Sequence, residues 1–323
     1  MIREHYFYVA TLPFSVALPY GLDVEALLPS FRPFHRTVCT DEALIFRLTA
    51  TTQSFADDRR GAELLDDFHS DMGHVSLLRT GPTYHIDIDY RHTGTVHTMT
   101  VDSTFSRATA YLRPADPCLG AILSSMIRIL YAQTILRHGG ISIHASCVSM
   151  EDHGYLFLGK SGTGKSTHAH QWMEAFPGCT LLNDDNPVLR LTGDRTVMVY
   201  GTPWSGKTPC YRNVSCPVSG IIRLQQSPEN HFHPLDGPEA FAALLPSCSA
   251  IRQDSALQEA LHTTLIHITE QVRIGRMQCR PDTEAAHLCL HGLLSMEDDA
   301  HHQGDRPTSP PGINFTSTGI TAL

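Results

Sequence analysis

A β-rich N-terminal domain followed by an α/β domain is the fold class that this 323-residue sequence predicts. Three observations carry it. Tyr84, Ile86, Ile88 and Tyr90 alternate with His85, Asp87 and Asp89, the period of a half-buried strand. From about Pro117 the period becomes helical, with Ile122, Met126, Ile129, Leu130 and Leu136 recurring and Gly139-Gly140 as the stop. Beyond that, an apolar run at Tyr155–Leu158 meets a glycine-rich stretch that opens into a second helical segment. The chain is accordingly divided into residues 1–115, residues 116–297 and a tail, 298–323. The tail is rich in Pro, Gly, Ser and Thr, has little apolar surface to bury, and is expected to be disordered or loosely attached.

In the first region, ALIFRLT, HVSLLRT and VHTMTV join the alternating segment as strands of one antiparallel sheet, with RHTG at Arg91–Gly94 as a turn. FADDRRGAELLDDFHSD reads as a polar loop with a short helix, and no chemistry is assigned to this region. The apolar helix after Pro117 joins the two domains. ISIHASCVSM and YLFLG then form two strands around the tight connection EDHG. Further on, VSGIIRLQQ is a strand, and helices lie near Pro238–Leu245 and Ala256–Ile268.

Composition excludes several function classes. Net charge is −9, and no Lys/Arg run of the usual length is present, which disfavours nucleic acid because counterion release needs clustered cations. Nine cysteines are scattered and never spaced as CxxC, so neither a zinc site nor a disulfide framework is indicated. MIREHYFYVATLPF lacks the clean apolar core of a signal peptide, and no window approaches 18 consecutive apolar residues. The expectation is a cytoplasmic protein without a membrane segment; self-association is left open.

The chemistry is concentrated in GYLFLGKSGTGKSTHAHQWMEAF, Gly154–Phe176. Gly159, Gly164, Lys165 and Ser166 satisfy G-x-x-x-x-G-K-[ST], the P-loop pattern. A phosphate chain must be wrapped closely by backbone N–H groups, and a side chain at either glycine would block that approach or forbid the dihedrals. Lys165 supplies a charge for the outer phosphates, and Ser166 a hydroxyl for Mg²⁺. The helix start adds its unpaired N–H groups and dipole. The predicted nucleotide cradle is therefore Gly159, Lys160, Ser161, Gly162, Thr163, Gly164, Lys165, Ser166 and Thr167.

Two further features converge on it. LLNDDNPVLRL places Asp184 and Asp185 at the end of an apolar run, where one can hold Mg²⁺ and the other take a proton from an attacking hydroxyl. If EDHG closes a hairpin centred between Glu151 and Asp152, His144 falls opposite Gly159, at the roughly 5 Å separation of directly opposed positions. There it could stabilise phosphoryl charge or orient an aspartate. YGTPWSGKTP contributes candidate substrate residues: Lys207, with Arg212 assisting, and Trp204, which an ordinary surface loop would seldom expose.

HASCV, GYLFLGKSGTGKST and LLNDDNP together resemble the core of the HPr kinase/phosphorylase family, similar in fold to phosphoenolpyruvate carboxykinase. The resemblance covers roughly Gly140 to Leu191, and His144, Ser161, Gly162, Lys165, Ser166, Asp184 and Asp185 match the family's places. It implies ATP and Mg²⁺ as cofactors, with Asp184 as the base for a serine hydroxyl. Ser166 and Asp185 would then be nearer the metal, with the two aspartate roles open to exchange. The family's glycine-rich signature after the Asp-Asp pair is absent, and Val199–Asn213 stands in its place. The acceptor expected is thus a serine of a protein, a peptide or a free metabolite. The rival expectations are a nucleotide-binding regulator without transfer and a carboxykinase-like enzyme.

Overall fold

Residues 2–37, 43–56, 59–70, 73–90 and 94–304 are described by a computed structural model of the chain. Strands β1 (Ile2–Val9) and β2 (Leu12–Pro19) form a hairpin whose two linking residues, Ala10 and Thr11, have φ of 48° and 64°. Positive φ at both positions suits the twist of a two-residue turn. A short helix, α1 (Val24–Leu27), precedes β3 (His35–Arg36) and β4 (Arg47–Thr51). Then come β5 (Glu63–Ser70), β6 (Gly73–Thr80), β7 (Thr83–Asp89), β8 (Val96–Asp102) and β9 (Arg107–Tyr111). They make one nine-stranded sheet in the order β3-β1-β2-β4-β9-β8-β7-β6-β5.

Three expectations for this region are corrected. The sheet is mixed, because β4 runs parallel to both β2 and β9. Within ALIFRLT the strand begins only at Arg47. The stretch expected to be loop with a short helix contains strand β5, since β6 offers it a ladder from Glu63↔Arg79 to Ser70↔Gly73, interrupted by one bulge between Leu64 and Asp66. A polar run is tolerated there because Asp66, Asp67, Phe68 and His69 are all exposed while Leu65 is buried. The predicted RHTG turn lies largely outside the described residues.

Helix α2 (Leu119–Thr134), continued by a 3₁₀ turn (Ile135–His138), packs between this sheet and the next. Tyr131 Oη donates to the Val9 carbonyl at 2.9 Å, and Thr134 Oγ1 to that of Phe105 at 2.9 Å, fixing the helix on the first sheet. By length and composition Leu119–His138 could cross a membrane, but 72% of that window is buried inside the protein. One hydrophobic cluster runs from Phe14 and Phe46 through Tyr131 to Ile141, Leu158 and Leu265, and so spans the boundary expected at residues 115–116.

The second sheet is built from β10 (Gly140–Ser142), β11 (Ala145–Met150), β12 (His153–Leu158), β13 (Thr180–Asp185), β14 (Val188–Leu191), β15 (Val197–Tyr200) and β16 (Ser215–Gln226). Two further strands, β17 (His231–Leu235) and β18 (Arg273–Cys279), extend it beyond β16. Strands β12, β16 and β18 are parallel, so their carboxyl ends share one edge. Ligands of open α/β sheets bind at such an edge. Helix α3 (Lys165–Ala175) starts there, and α4 (Gly237–Leu244) and α5 (Ser255–Gln271) cover the face turned to α2. Helix α6 (Thr283–Gly304) joins α3 on the opposite face, around Trp172, Phe157 and Leu293. It carries regular backbone past residue 298, where the tail was expected to begin; residues 305–323 lie outside the described residues.

ISIHASCVSM is one strand in expectation and two in the structure. Ile143 and His144 leave the ladder because their N–H groups donate elsewhere, to the Pro187 and Ser247 carbonyls at 3.1 and 2.7 Å. That break sets the position of His144.

Candidate active site

The loop from Gly159 to Gly164 connects β12 to α3. Gly164 caps the helix with φ 101°, a conformation closed to ordinary side chains, and a Cβ at Gly159 would meet the Thr163 Cβ at 2.9 Å. The first helical bond is His168 N–H to the Gly164 carbonyl, at 2.8 Å. The N–H groups of Lys165, Ser166 and Thr167 therefore have no helical acceptor and face the loop mouth. Lys160, Ser161, Gly162, Ser166 and Thr167 are exposed, while Lys165 is half-buried. One turn on, the buried His168 ring accepts the Trp172 indole N–H at 3.1 Å, and burial pulls its pKa down to about 4. His168 is thus a neutral packing residue that fixes α3.

Lys165 Nζ donates to the Gly159 and Lys160 carbonyls at 3.1 and 3.4 Å and lies 2.9 Å from His144 Nε2. An ammonium can only donate, so Nε2 is the acceptor and the imidazole proton sits on Nδ1. That nitrogen is 3.1 Å from Asp185 Oδ1. The other carboxylate oxygen, Oδ2, takes Arg128 Nη1 at 3.1 Å. Burial alone would raise the Asp185 pKa; the His144 hydrogen bond and the Arg128 charge outweigh it and hold the carboxyl below its usual range. Burial depresses the Lys165 pKa, and Arg223 adds to that, against the pull of Asp185 and Asp184.

Asp184 faces a different set. Ser146 Oγ donates to its Oδ1 at 2.8 Å, and its Oδ2 is buried without a hydrogen-bond partner among the described residues. The intervening geometry is set by Asn183, whose Oδ1 accepts the Asp185 and Asn186 N–H groups at 3.0 and 2.8 Å. Its amide donates to Thr202 Oγ1 and the Trp204 carbonyl at 3.2 and 3.0 Å. Sequence reasoning passed over Asn183 and Arg128. The available signal for Arg128 was its charge alone on one face of an otherwise apolar helix.

The YGTPWSGKTP segment divides. Gly206 N–H donates to the Asp184 carbonyl at 3.0 Å, which leaves Lys207 exposed beside the acid pair. Trp204, expected in the site, is in the core instead. It is 5% exposed, meets Phe31 edge-on at 5.7 Å and Tyr131 at 5.3 Å, and donates from Nε1 to the Ser124 carbonyl at 3.2 Å. A large apolar ring with a satisfied N–H is worth more buried than as an exposed contact. Arg212 is likewise displaced: it donates to the Leu181 carbonyl at 2.7 Å, near the start of β13 and about 13 Å of strand away from Asp185. Trp204→Ala is expected to cost about 3–5 kcal/mol of stability, the range for a buried aromatic, while folded protein keeps its nucleotide affinity. Denaturant unfolding and ligand titration together check this.

Two cavities flank these groups. An open cleft of about 740 Å³ lies over Lys160–Thr163 and the ends of β16 and β18. A smaller cavity, about 290 Å³, has His144, Asp185 and Arg128 at its polar end and Phe68, Leu77 and Ile251 among its walls. The first sheet thus supplies one side of a chamber that ends at the imidazole.

No family model matches the chain, and no curated protein matches it. Among solved structures it is similar to the Hpr(Ser) kinase/phosphatase from Coxiella burnetii, at 15% identity and a TM-score of 0.31, over 51% of this chain and 99% of that one.

Proposed function

We propose that this chain is an ATP- and magnesium-dependent phosphotransferase acting on a hydroxyl, that of a serine in a protein, peptide or free metabolite. One observation carries the reading. At the mouth of the glycine loop, Lys165 meets a His144–Asp185 pair while a buried, unpartnered carboxylate oxygen of Asp184 remains available nearby.

In this reading the loop N–H groups and Lys165 hold the triphosphate. Asp184 Oδ2 takes the acceptor's proton as its oxygen bonds the γ-phosphorus, and the bond to the bridging oxygen breaks to release ADP. Asp185 acts through His144: it fixes the tautomer that accepts from Lys165, so the ammonium stays aimed at the outer phosphates. The exposed Ser166 hydroxyl, at the start of α3, fits a divalent cation on the outer phosphates. Ser166 would hold magnesium, whose part is to neutralise charge on the outer phosphates. Asp185, expected as a ligand, has both oxygens already engaged by His144 and Arg128.

A regulator that binds nucleotide without transfer needs no buried free carboxylate beside the loop. Incubating a cell extract with the protein and ATP labelled in the γ position, followed by mass spectrometry, separates the two. Label on a serine hydroxyl is the expected result. Bound ATP with neither label transfer nor ADP release would leave the regulator.

A further inference from the structure

Arg223 and Arg276 take no part in the reaction just described. Arg223 of β16 stands in register between Leu158 of β12 and Arg276 of β18. Neighbouring strands lie about 4.8 Å apart and residues in register share a face. Two guanidinium groups therefore project side by side from the row that ends at Leu158, the residue before the glycine loop. Such a like-charged pair repels itself.

Neither charge is neutralised. Arg276 is exposed and makes no hydrogen bond or ion pair with the described residues. Arg223 donates only to neutral oxygens, the Ala243 carbonyl at 3.3 Å and Ser247 Oγ at 3.0 Å. Burial and the Arg276 charge both hold the Arg223 pKa below its usual value. Both arginines line the 740 Å³ cleft with Lys160, and Glu239 is the one carboxylate among its lining residues. A cleft of that size is ample for a small ligand. Its position relative to the loop is fixed, because Ser247 also accepts the His144 N–H at 2.7 Å through its carbonyl oxygen.

We propose that Arg223 and Arg276 form an oxyanion seat beside the glycine loop, distinct from the Lys165 position, that takes a carboxylate or a phosphate. Paired planar forks match the oxygens of either group and exceed a lysine's point charge in selectivity. The seat stands on the cleft and its charges alone and does not require that phosphate be transferred. Its oxyanion comes either from the nucleotide or from an acidic group on the acceptor.

Calorimetric titration of wild type, Arg276→Gln and Arg223→Gln/Arg276→Gln with ATP·Mg, and with inorganic phosphate at saturating ADP·Mg, tests the seat and tells the sources apart. Arg276→Gln removes an exposed, unpartnered group and should leave the melting temperature unchanged, so its weaker binding is not a folding defect. If the seat serves the acceptor, phosphate binds alongside ADP, the double variant weakens it at least about tenfold, and ATP affinity stays constant. If it serves the nucleotide, the double variant weakens ATP by that factor, whether or not phosphate binds alongside ADP. Unchanged affinity for both ligands in the double variant overturns the proposal. Should no nucleotide bind at all, the phosphotransferase reading fails, while arginine-dependent phosphate binding still upholds the seat.

Discussion

Lys165→Ala is expected to lower nucleotide-dependent transfer by at least about 10²–10³-fold, the range for loss of one preorganised charge-stabilising donor. The side chain does two things that alanine cannot. It staples the loop by donating to the Gly159 and Lys160 carbonyls, and it occupies the Nε2 acceptor of His144. Removing it takes a charge from the outer phosphates and leaves His144 Nε2 without its donor. Steady-state ADP release and single-turnover transfer, each at saturating ATP, measure the effect. A variant that turns over at the wild-type rate would show that the loop does not address the reacting phosphate.

Asp184→Asn should leave ATP affinity near wild type and reduce transfer by about 10²–10⁴-fold, as expected when a general base is removed. Asparagine preserves the shape, and its carbonyl oxygen can still accept from Ser146 Oγ, so the hydrogen bond of 2.8 Å survives. What disappears is the unpartnered carboxylate oxygen. Asp185→Asn provides the contrast. It keeps an acceptor for His144 but forfeits the ion pair with Arg128. Full transfer by Asp184→Asn to an identified acceptor would move the base elsewhere.

Much of this site was legible locally. The glycine loop, the helix after it and the acid pair lie within a few dozen residues, and each follows from short-range rules about small residues and strand ends. The hairpin arithmetic was equally local and holds as far as Ala145↔Leu158; the pairing of His144 with Gly159 does not form, because the His144 N–H donates to the Ser247 carbonyl instead. What escaped depends on contacts between distant segments. Arg128 reaches Asp185 across 57 positions, and nothing in an apolar helix says which residue its one charge will meet. Trp204 was misplaced because a turn-rich sequence suggests a surface, whereas Phe31 and Tyr131 from two other segments enclose the ring. Strand β5 was missed because its ladder is supplied by β6 rather than by its own apolar pattern. The parallel entry of β4 likewise depends on long-range pairing.

Helix α2 has a mechanical corollary. Arg128 and Tyr131 are three residues apart and so lie on neighbouring positions of one helical flank, the first gripping Asp185 and the second the backbone of Val9. The helix is thus a strut between the N-terminal hairpin and the carboxylate. Displacing that hairpin relative to the second sheet must either stretch the Arg128–Asp185 ion pair or break the tyrosine's grip.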